Sequence, residues 1–510
     1  MKSLFPKYLY ASLLCGLCAI MASAQHHVAY DVSLIGSAAD GDFSPYYVAS
    51  NNHGIITQSN NALLRAGLWH QVDTTKRFSF GYGLDIVGGL SSSTIYSRYD
   101  SIGMAFVDNS QKPAALWVQQ LYAEIKYRQV FLSAGMKQHS SKLLNSRLSS
   151  GDLIESGNAR PIPELRAGFI DFVDIPFLSG WLQIGGEISY GKFTDNDYMR
   201  NHYNYYNYHI NTGSWYTYKR AYFRTKPSER LSVTIGAQAA GLFGGITEDY
   251  RNGKLFSKYD HPDGIGDFFE MFIPKNTSEE GFVLGNHLGS WDFMARYRLN
   301  NQDEIKAYFQ WPWEDGSGIG KLNGFDGLWG VEYKNANGGI VNGFVVEYLD
   351  FTNQSGSMHW DPDDNPGTTI TDRAEGGDDY YNNAFYNSYA NYGMSIGTPF
   401  LRSPIYNLDG YPAYVCNRVR GFHVGLEGNI SNALNYRLMA SYRKGCGSGL
   451  MPIATPLEDT SFSLDACYKI ERVPGLSVSA QVALDNGSMY GDNFGCLMKL
   501  SYSGNFNLGR

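Results

Sequence analysis

The stretch from Phe78 to Ile86 reads FSFGYGLDI and alternates strictly between large apolar side chains and polar or small ones. Side chains on a β-strand point to opposite faces with a period of two, so this stretch has one apolar and one polar face. Similar alternating runs recur from residue 28 to the end of the chain. Strands of soluble proteins have about 5–6 residues, whereas a tilted strand that crosses a bilayer needs about 9–11. The runs are of the longer kind and predict an all-β transmembrane barrel.

The first 24 residues have the pattern of a secretory signal peptide. Lys2 and Lys7 supply a positively charged start, and a short apolar run follows from Leu9 to Met21. The small residues Ala22-Ser23-Ala24 then give a cleavage pattern before Gln25. We therefore expect residues 1–24 to be removed on export and residues 25–510 to form one barrel in the outer membrane of a Gram-negative cell.

The composition agrees with a barrel and excludes some partners. The chain has 57 Gly, 38 Tyr and 28 Phe, which suits barrel strands with aromatic girdles. Its mean hydropathy of −0.31 is low because half of each barrel strand faces water. A net charge of −8 and a pI near 5.8 argue against nucleic acid as a partner. We expect a monomer surrounded by outer-membrane lipid.

Short polar turns and longer segments alternate along the chain, as they do in bacterial outer-membrane barrels with short periplasmic turns and long outer loops. Counting both kinds predicts an antiparallel up-and-down barrel of about 18 strands with both termini in the periplasm. The expected short turns are 73–76, 127–129, 174–180, 226–230, 300–304, 334–339, 430–435 and 471–475, and the expected longer segments are 37–61, 91–113, 139–164, 194–213, 243–289, 313–326, 353–418, 446–459 and 486–492.

The alternation also predicts which side chains face the lumen. Charged residues of both signs fall on the inward face, and Glu427 and Arg437 on neighbouring strands are expected to pair across the ladder. Mixed charge favours a filled or constricted interior over an open channel lined by charges of a single sign. The simpler interpretation is that the charges of the lumen wall only pair with one another. The other inward charges are Asp85, Glu124, Lys126, Glu187, Arg296, Arg298, Glu304, Lys306 and Arg443.

Residues 149–168 read SSGDLIESGNARPIPELRAG and follow a strand that ends in AGMK. This block, together with the Tyr/Asn-rich stretch DDYYNNAFYNSYANYGMSIGTPF at 378–400, resembles the Wzi-like capsule assembly family of Bacteroidetes-type sequences. The resemblance covers essentially the whole mature chain. It implies a barrel that binds capsular or other surface polysaccharide like a lectin and aids capsule assembly. Known members carry a helical plug near the N-terminus, whereas residues 27–36 here alternate like a strand.

Two Tyr/Asn-rich segments are the candidate glycan-binding surfaces. Tyrosine offers a flat, rigid contact for sugars at low entropic cost, and asparagine supplies hydrogen bonds to hydroxyls. An aromatic girdle at the membrane interface is the alternative interpretation. Neither segment has the apolar period of two, which favours loop surface. The candidate residues are Tyr203, Tyr205 and Tyr206 in MRNHYNYYNYH (199–209), and Tyr380, Tyr381 and Tyr386 in DDYYNNAFYNSYANY (378–392).

The segment 156–164 contains two further candidates, Asn158 and Arg160. Its two prolines forbid a regular strand, and Gly157 and Asn158 permit turns. One interpretation is structural: the segment folds into the lumen, where Arg160 and Glu164 pair with charges of the barrel wall. The other is that Asn158 and Arg160 bind the glycan directly.

Cysteines and metal ligands give weaker indications. Cys416 and Cys446 are expected at the same end of two adjacent strands, where a disulfide or two free thiols fit equally well. Acidic groups at Asp361, Asp363, Asp364 and at Glu375, Asp378, Asp379 lack an EF-hand spacing, so we expect solvated loops and no metal site. We expect no cofactor.

An enzyme is not expected. The neighbouring residues His139 and Ser140 suggest a His/Ser pair, but adjacent strand positions point to opposite faces. The chain contains no HExxH motif, its one C-x-x-C (residues 15–18) lies in the expected signal peptide, and its one G-x-S-x-G (residues 393–397) does not join a predicted strand to a helix as a nucleophile elbow does. Two functions remain: a polysaccharide-binding barrel, which we favour, and an outer-membrane porin or diffusion channel for small solutes.

Overall fold

The computed structural model describes residues 26–178, 180–272, 284–314, 316–356, 367 and 377–508. The predicted signal peptide and the acidic residues Asp361, Asp363, Asp364 and Glu375 lie outside the described residues. The described residues contain no helix long and apolar enough to cross a membrane.

A single antiparallel sheet closes into a barrel of 18 long strands. Each strand pairs with its neighbour in the chain, and the last strand pairs with the first from His26↔Leu508 to Ala39↔Gly495. The strands are β1 (His26–Ala39), β2 (Asn61–His70), β3 (Phe78–Ser91), β4 (Leu116–Tyr127), β5 (Val130–Met136), β6 (Pro163–Phe169), β7 (Leu182–Lys192), β8 (Trp215–Thr225), β9 (Leu231–Phe243), β10 (Asn286–Arg298), β11 (Glu304–Trp313), β12 (Gly327–Lys334), β13 (Gly343–Asp350), β14 (Val419–Asn429), β15 (Leu434–Gly447), β16 (Pro452–Lys469), β17 (Leu476–Gly487) and β18 (Asn493–Leu508).

The closed antiparallel barrel and its strand number are confirmed. A further strand of only two residues, Val173–Asp174, pairs with β7 below the end of β6. One expected long segment is wrong: β15 and β16 run further outward than their polar sequence suggested, so four residues, 448–451, connect them instead of 446–459. The strands reach 18 residues in β16, whereas β5 and β6 have seven each.

The outward face is apolar along the barrel, as the alternation predicted. Ile235, Phe293 and Val482 point outward with 37–49% of their surface exposed. The inward partners in the alternation are polar and covered, among them Thr234, Asp292 and Gln481. The barrel therefore presents an apolar band to its surroundings and a polar wall to its lumen.

The predicted pair between Glu427 and Arg437 is wrong. The two residues lie opposite each other in the ladder of β14 and β15. Arg437 instead pairs with Asp465 on β16 at 3.0 Å, and Glu427 accepts a hydrogen bond of 2.7 Å from Arg147. Arg147 belongs to the long connection between β5 and β6, so a segment inserted into the lumen displaces the expected pair.

Smaller elements occur in the long connections. Two hairpins stand outside the barrel. The first pairs Thr94–Asp100 with Ala105–Gln111, and the second pairs Ile246–Arg251 with Lys254–Asp260. Ile246–Arg251 also pairs with Tyr208–Thr212 on its other side. The helices are short: α1 (Tyr46–Ala49), α2 (Asn196–His202), α3 (Ile265–Glu270) and α4 (Gly316–Ile319), with a 3-10 turn at Pro404–Tyr406.

Candidate functional site

Three long connections fold into the barrel: a first luminal segment (residues 40–60), a second (137–162) and a third (377–418). The first segment carries α1 against the wall strands β15 to β17. Tyr46 N donates to Asp485 Oδ2 at 2.8 Å, and Gln481 Nε2 donates to Tyr47 O at 3.0 Å. The Tyr47 hydroxyl lies 2.9 Å from His423 Nδ1 and also contacts Ser441. This short helix lies near the N-terminus of the chain, and wall strands from the C-terminal part of the chain therefore hold it in place.

The second luminal segment crosses from β5 to the far wall. Ser149 Oγ and Ser150 N each donate 2.7 Å hydrogen bonds to the carboxylate of Glu347 on β13. His423 Nε2 lies 2.7 Å from Leu148 O. A Cβ at Gly425 on β14 would lie 2.5 Å from the same carbonyl oxygen, so only glycine permits this close approach.

Asp152 is the polar centre of the second luminal segment. Its carboxylate accepts hydrogen bonds from Gln238 on β9 (2.8 Å) and Gln310 on β11 (3.0 Å). Within the segment, Ser141 Oγ donates at 2.5 Å and the Ile154 amide at 2.9 Å. Burial raises the pKa of Asp152, while these hydrogen bonds oppose the rise. The carboxylate thus joins the segment to two wall strands.

Arg166 on β6 joins the other end of this segment to the wall. Only 2% of its side chain is exposed, and its guanidinium contacts three carboxylates. Nε donates to Glu164 at 2.7 Å and Nη1 to Glu187 on β7 at 2.8 Å. Nη1 also donates to Glu155 of the luminal segment at 3.0 Å. His139 Nε2 lies 2.9 Å from Glu164 Oε1, so His139 also belongs to this group of charges.

The third luminal segment covers the second. The Tyr389 hydroxyl donates to Ile154 O at 2.8 Å, and the Tyr381 hydroxyl donates to Leu153 O. The Tyr380 hydroxyl donates to Asp326 at 3.1 Å, and that of Tyr386 lies 3.2 Å from His261 Nδ1. The candidates Tyr380, Tyr381 and Tyr386 are only 1–5% exposed, so their rings are covered here. The expectation that this Tyr/Asn run forms loop surface overlooked its apolar content.

Asn158 and Arg160 also lie between the luminal segments. Asn158 is fully buried, donates from Nδ2 to Ser395 O at 3.0 Å and accepts from Asn51 N at 3.1 Å. The Arg160 guanidinium lies over the rings of Trp117 (4.5 Å) and Tyr392 (4.7 Å). Arg160 Nε donates to Gly54 O at 3.3 Å. Both side chains are engaged within the protein, and a role in glycan binding stays a prediction.

The lumen is therefore occupied by the protein's own loops. Leu153, Phe400 and Tyr414 of the luminal segments are fully buried in a core shared with wall residues such as Tyr218 and Leu328. The plug contains the short helix α1, the 3-10 turn at Pro404–Tyr406 and a two-residue strand pair, Ala390–Asn391 with Met394–Ser395, and its other described residues are irregular chain. A filled interior agrees with the mixed charge of the inward face.

The second candidate region, outside the barrel, is where the hairpins meet. Tyr99 N donates to Asn204 O at 2.8 Å, which joins the 94–111 hairpin to the segment after α2. Gly253 N donates to Tyr206 O at 3.0 Å, which joins the same segment to the 246–260 hairpin. Three long connections thus form one outer surface.

Six rings from these connections form an outer aromatic cluster: Tyr99, Phe106, Tyr203, Tyr205, Tyr206 and Tyr250. Tyr99, Phe106 and Tyr206 have mutual centroid distances of 4.9–5.4 Å. Tyr203, Tyr205 and Tyr250 form a second group at 4.9–5.9 Å. The Arg98 guanidinium lies 5.0 Å from the ring centroid of Tyr205.

Exposure divides this cluster into a base and a face. Tyr203 is buried and donates its hydroxyl to Tyr208 O at 2.5 Å, so it supports the others. Phe106 is 51% exposed, and Tyr99, Tyr205 and Tyr206 are half-buried. The hydroxyls of Tyr99 and Tyr206 have no hydrogen-bond partner among the described residues. Burial raises the pKa of Tyr205 above its ordinary value.

A tight turn explains how Tyr99 reaches the cluster. Asn252 and Gly253 both have positive φ (49° and 74°), the conformation of the two-residue turn that joins β-hairpins. A Cβ at Gly253 would overlap the Tyr99 ring at 1.9 Å. The turn therefore requires glycine both for its conformation and for this contact.

Chemically, the face combines apolar ring surface, free hydroxyls and one guanidinium. Flat rings pack against the C–H faces of sugars, and tyrosine hydroxyls and arginine donate to sugar oxygens. The sequence identified Tyr203, Tyr205 and Tyr206 but missed Tyr99, Phe106 and Tyr250. The short alternating runs TIYSRYD and AFVDNSQ, inside a segment taken as loop, were the available signal for the hairpin.

The remaining candidates are the two cysteines and the possible metal ligands. Cys416 and Cys446 are both free thiols in the structure, and burial raises the pKa of Cys416. The described part of the chain contains no group of three or more His, Cys, Asp or Glu residues arranged to hold a metal ion.

The fold and the occupied lumen define a class: an outer-membrane-type β-barrel filled by its own loops. No family model matches the chain. No curated protein matches it either. Among solved structures, Wzi of Escherichia coli, described as a carbohydrate-binding β-barrel involved in group 1 capsule assembly, has a TM-score of 0.53 at 12% identity over 96% of this chain and 86% of its own.

Other similar structures include OccAB2 of Acinetobacter baumannii, with a TM-score of 0.48, 10% identity, and coverage of 94% of this chain and 98% of its own. OprD of Pseudomonas aeruginosa has a TM-score of 0.43 and 8% identity, covering 94% of this chain and 95% of its own. At 12% identity, the similarity to Wzi shows the barrel fold alone.

Proposed function

We propose that this protein is an outer-membrane barrel, exported through a signal peptide at residues 1–24, that binds capsular or other surface polysaccharide and takes part in capsule assembly or attachment. The outer aromatic cluster is the observation that carries the proposal. Its face combines exposed ring surface with unpartnered hydroxyls, which suits a sugar chain better than a lipid tail. The reported carbohydrate binding of Wzi, a similar fold, supports the same assignment.

The occupied lumen favours binding over transport. A diffusion channel needs a continuous aqueous path, whereas the luminal segments here pack against the wall on several sides. A binding protein needs only a rigid surface, and the plug supplies one by holding the long connections in place. In this account the protein acts as a monomer and performs no chemical step.

The direct test is affinity for the isolated surface polysaccharide of the host. Replacing Phe106 and Tyr206 by alanine removes one exposed and one half-buried ring while leaving the buried Tyr203 in place. We expect binding to weaken about thirty- to a thousandfold, since aromatic anchors at binding surfaces contribute about 1–2 kcal/mol each. Isothermal calorimetry with detergent-solubilised protein measures the change.

A matched control removes two exposed rings elsewhere at the same end. Phe269 and Phe385 are 76% and 54% exposed and lie outside the cluster. The Phe269→Ala/Phe385→Ala variant should bind like the unmodified protein. Equal affinity of the cluster variant and this control would refute the location of the site.

A further inference from the structure

A second surface with ligand-binding chemistry lies at the opposite end of the barrel, near the turn between β8 and β9. A pocket of about 290 Å³ opens there, at the inward-facing ends of β8 to β11. Short turns mark the periplasmic end in barrels of this class. The pocket is thus remote in the chain and in the fold from the outer aromatic cluster. We call it the basic pocket.

Positive charge dominates the basic pocket. Five of its residues are cationic: Arg224, Lys226, Arg230, Arg296 and Arg298. Glu229 and Glu304 are its only carboxylates, which leaves an excess of three positive charges. Like charges gathered in a concave site repel one another unless an anion joins them, and such a site raises the local concentration of anions.

The single shared carboxylate binds its partners loosely. Arg296 Nε lies 3.9 Å from Glu304, and Arg298 Nη2 lies 3.6 Å from it. Both separations exceed the 2.7–2.9 Å of a close charge-assisted hydrogen bond. The two guanidinium groups therefore keep most of their donors available. This differs from Arg166, whose donors are used by three close carboxylates.

Contacts with uncharged groups position Arg224 and order the turn that carries Arg230. The Arg224 guanidinium lies 4.0 Å from the ring centroid of Phe172 and donates at 2.8 Å to the neutral amide of Gln183. Ser228 Oγ accepts from the amides of Arg230 (3.3 Å) and Leu231 (3.1 Å), which orders the turn below. Arg230 has no ion pair among the described residues.

From this geometry we propose that the basic pocket is an anion-binding site, open to the periplasm, for a phosphate- or carboxylate-bearing ligand such as an acidic saccharide. Guanidinium forks match both groups because each presents two oxygens in one plane. The site goes beyond the proposed outer-surface function and does not depend on it.

The test uses the whole protein in detergent at low ionic strength, with pyrophosphate, trigalacturonate and neutral maltotriose as probes. We expect at least one of the two anions to bind and maltotriose not to bind. Binding of pyrophosphate alone indicates a phosphate ligand, and binding of trigalacturonate alone indicates a sugar acid. Binding should weaken steeply as salt is added, because the attraction is between exposed charges. Failure of both anions to bind at millimolar concentration overturns the proposal.

Two variants with opposite expected effects on anion affinity distinguish ligand binding from a general structural effect. Arg296→Gln/Arg298→Gln should weaken anion binding about tenfold or more. Glu304→Gln should strengthen it several-fold, because it releases the two arginines and removes a repelling charge. The control Arg128→Gln/Arg472→Gln also removes two positive charges, but from other short turns. Its affinity for the anions should change little. A Glu304→Gln variant that binds no tighter, or a control that loses as much affinity as the pocket variant, contradicts the site.

Discussion

Arg166→Met is expected to destabilise the barrel by about 3–5 kcal/mol, because breaking a buried ion-pair network leaves its other charges uncompensated. Three carboxylates, Glu155, Glu164 and Glu187, lie within 3.0 Å of the Arg166 guanidinium. Arg220 pairs with Glu187 at 3.1 Å and His139 with Glu164, and they cannot balance all three. Methionine fills a similar volume, so the lost stability reflects the missing charge more than a change in packing.

Denaturant unfolding in detergent, followed by tryptophan fluorescence and by the mobility of the folded barrel on gels, measures this effect. Arg251→Met is the control. Arg251 pairs with Asp249 at 3.3 Å on an outer hairpin with 62% of its side chain exposed. An exposed pair contributes less than about 1 kcal/mol. If the two variants unfold at the same denaturant concentration, the Arg166 network does not hold the luminal segment to the wall.

Asp152→Ala is expected to release the second luminal segment while the barrel stays closed. The substitution removes an acceptor from Gln238, Gln310 and Ser141 and leaves these buried donors unpaired, each at about 1–3 kcal/mol. The barrel strands pair independently of this carboxylate. Limited proteolysis should therefore cut within residues 137–162 of the variant and spare this segment in the unmodified protein.

Asp152→Asn is the matched variant. The amide keeps the shape of the side chain and one acceptor oxygen for Gln238 and the Ile154 amide, but its NH2 group meets the donors of Ser141 and Gln310. The asparagine variant should therefore resist the protease better than the alanine variant and less well than the unmodified protein. Equal cleavage of the alanine and asparagine variants would show that neither the side-chain volume nor a single acceptor oxygen anchors the segment.

The sequence predicted the barrel well because its determinants are local. Alternation with a period of two identifies each strand, and the short turns separate them. The same reasoning placed Asp85, Lys126 and Arg443 on the inward face, where all three are at most 3% exposed. The start of β16 was misjudged because residues 452–459 contain two prolines and two adjacent acidic residues, which interrupt the apolar alternation.

The sites were predicted less well because their contacts are distant in the chain. Tyr381 reaches Leu153 across 228 residues, and no local pattern announces such a contact. Glu427 illustrates the same limit. The alternation placed Arg437 opposite it on the neighbouring strand, but nothing local indicated that Arg147 of the luminal segment would pair with it instead. A Tyr/Asn-rich run looks alike on an outer surface and inside a polar lumen. Fully apolar positions such as Leu153 and Ile154 were the available sign that residues 137–162 are buried.

The most direct test of the central claim, that the lumen is filled and the protein binds rather than conducts, is single-channel recording of the unmodified protein in planar bilayers. The account predicts no large, steady conductance, because the three luminal segments occupy the barrel. A long-lived open state whose current scales linearly with voltage would contradict it and favour a diffusion channel for small solutes.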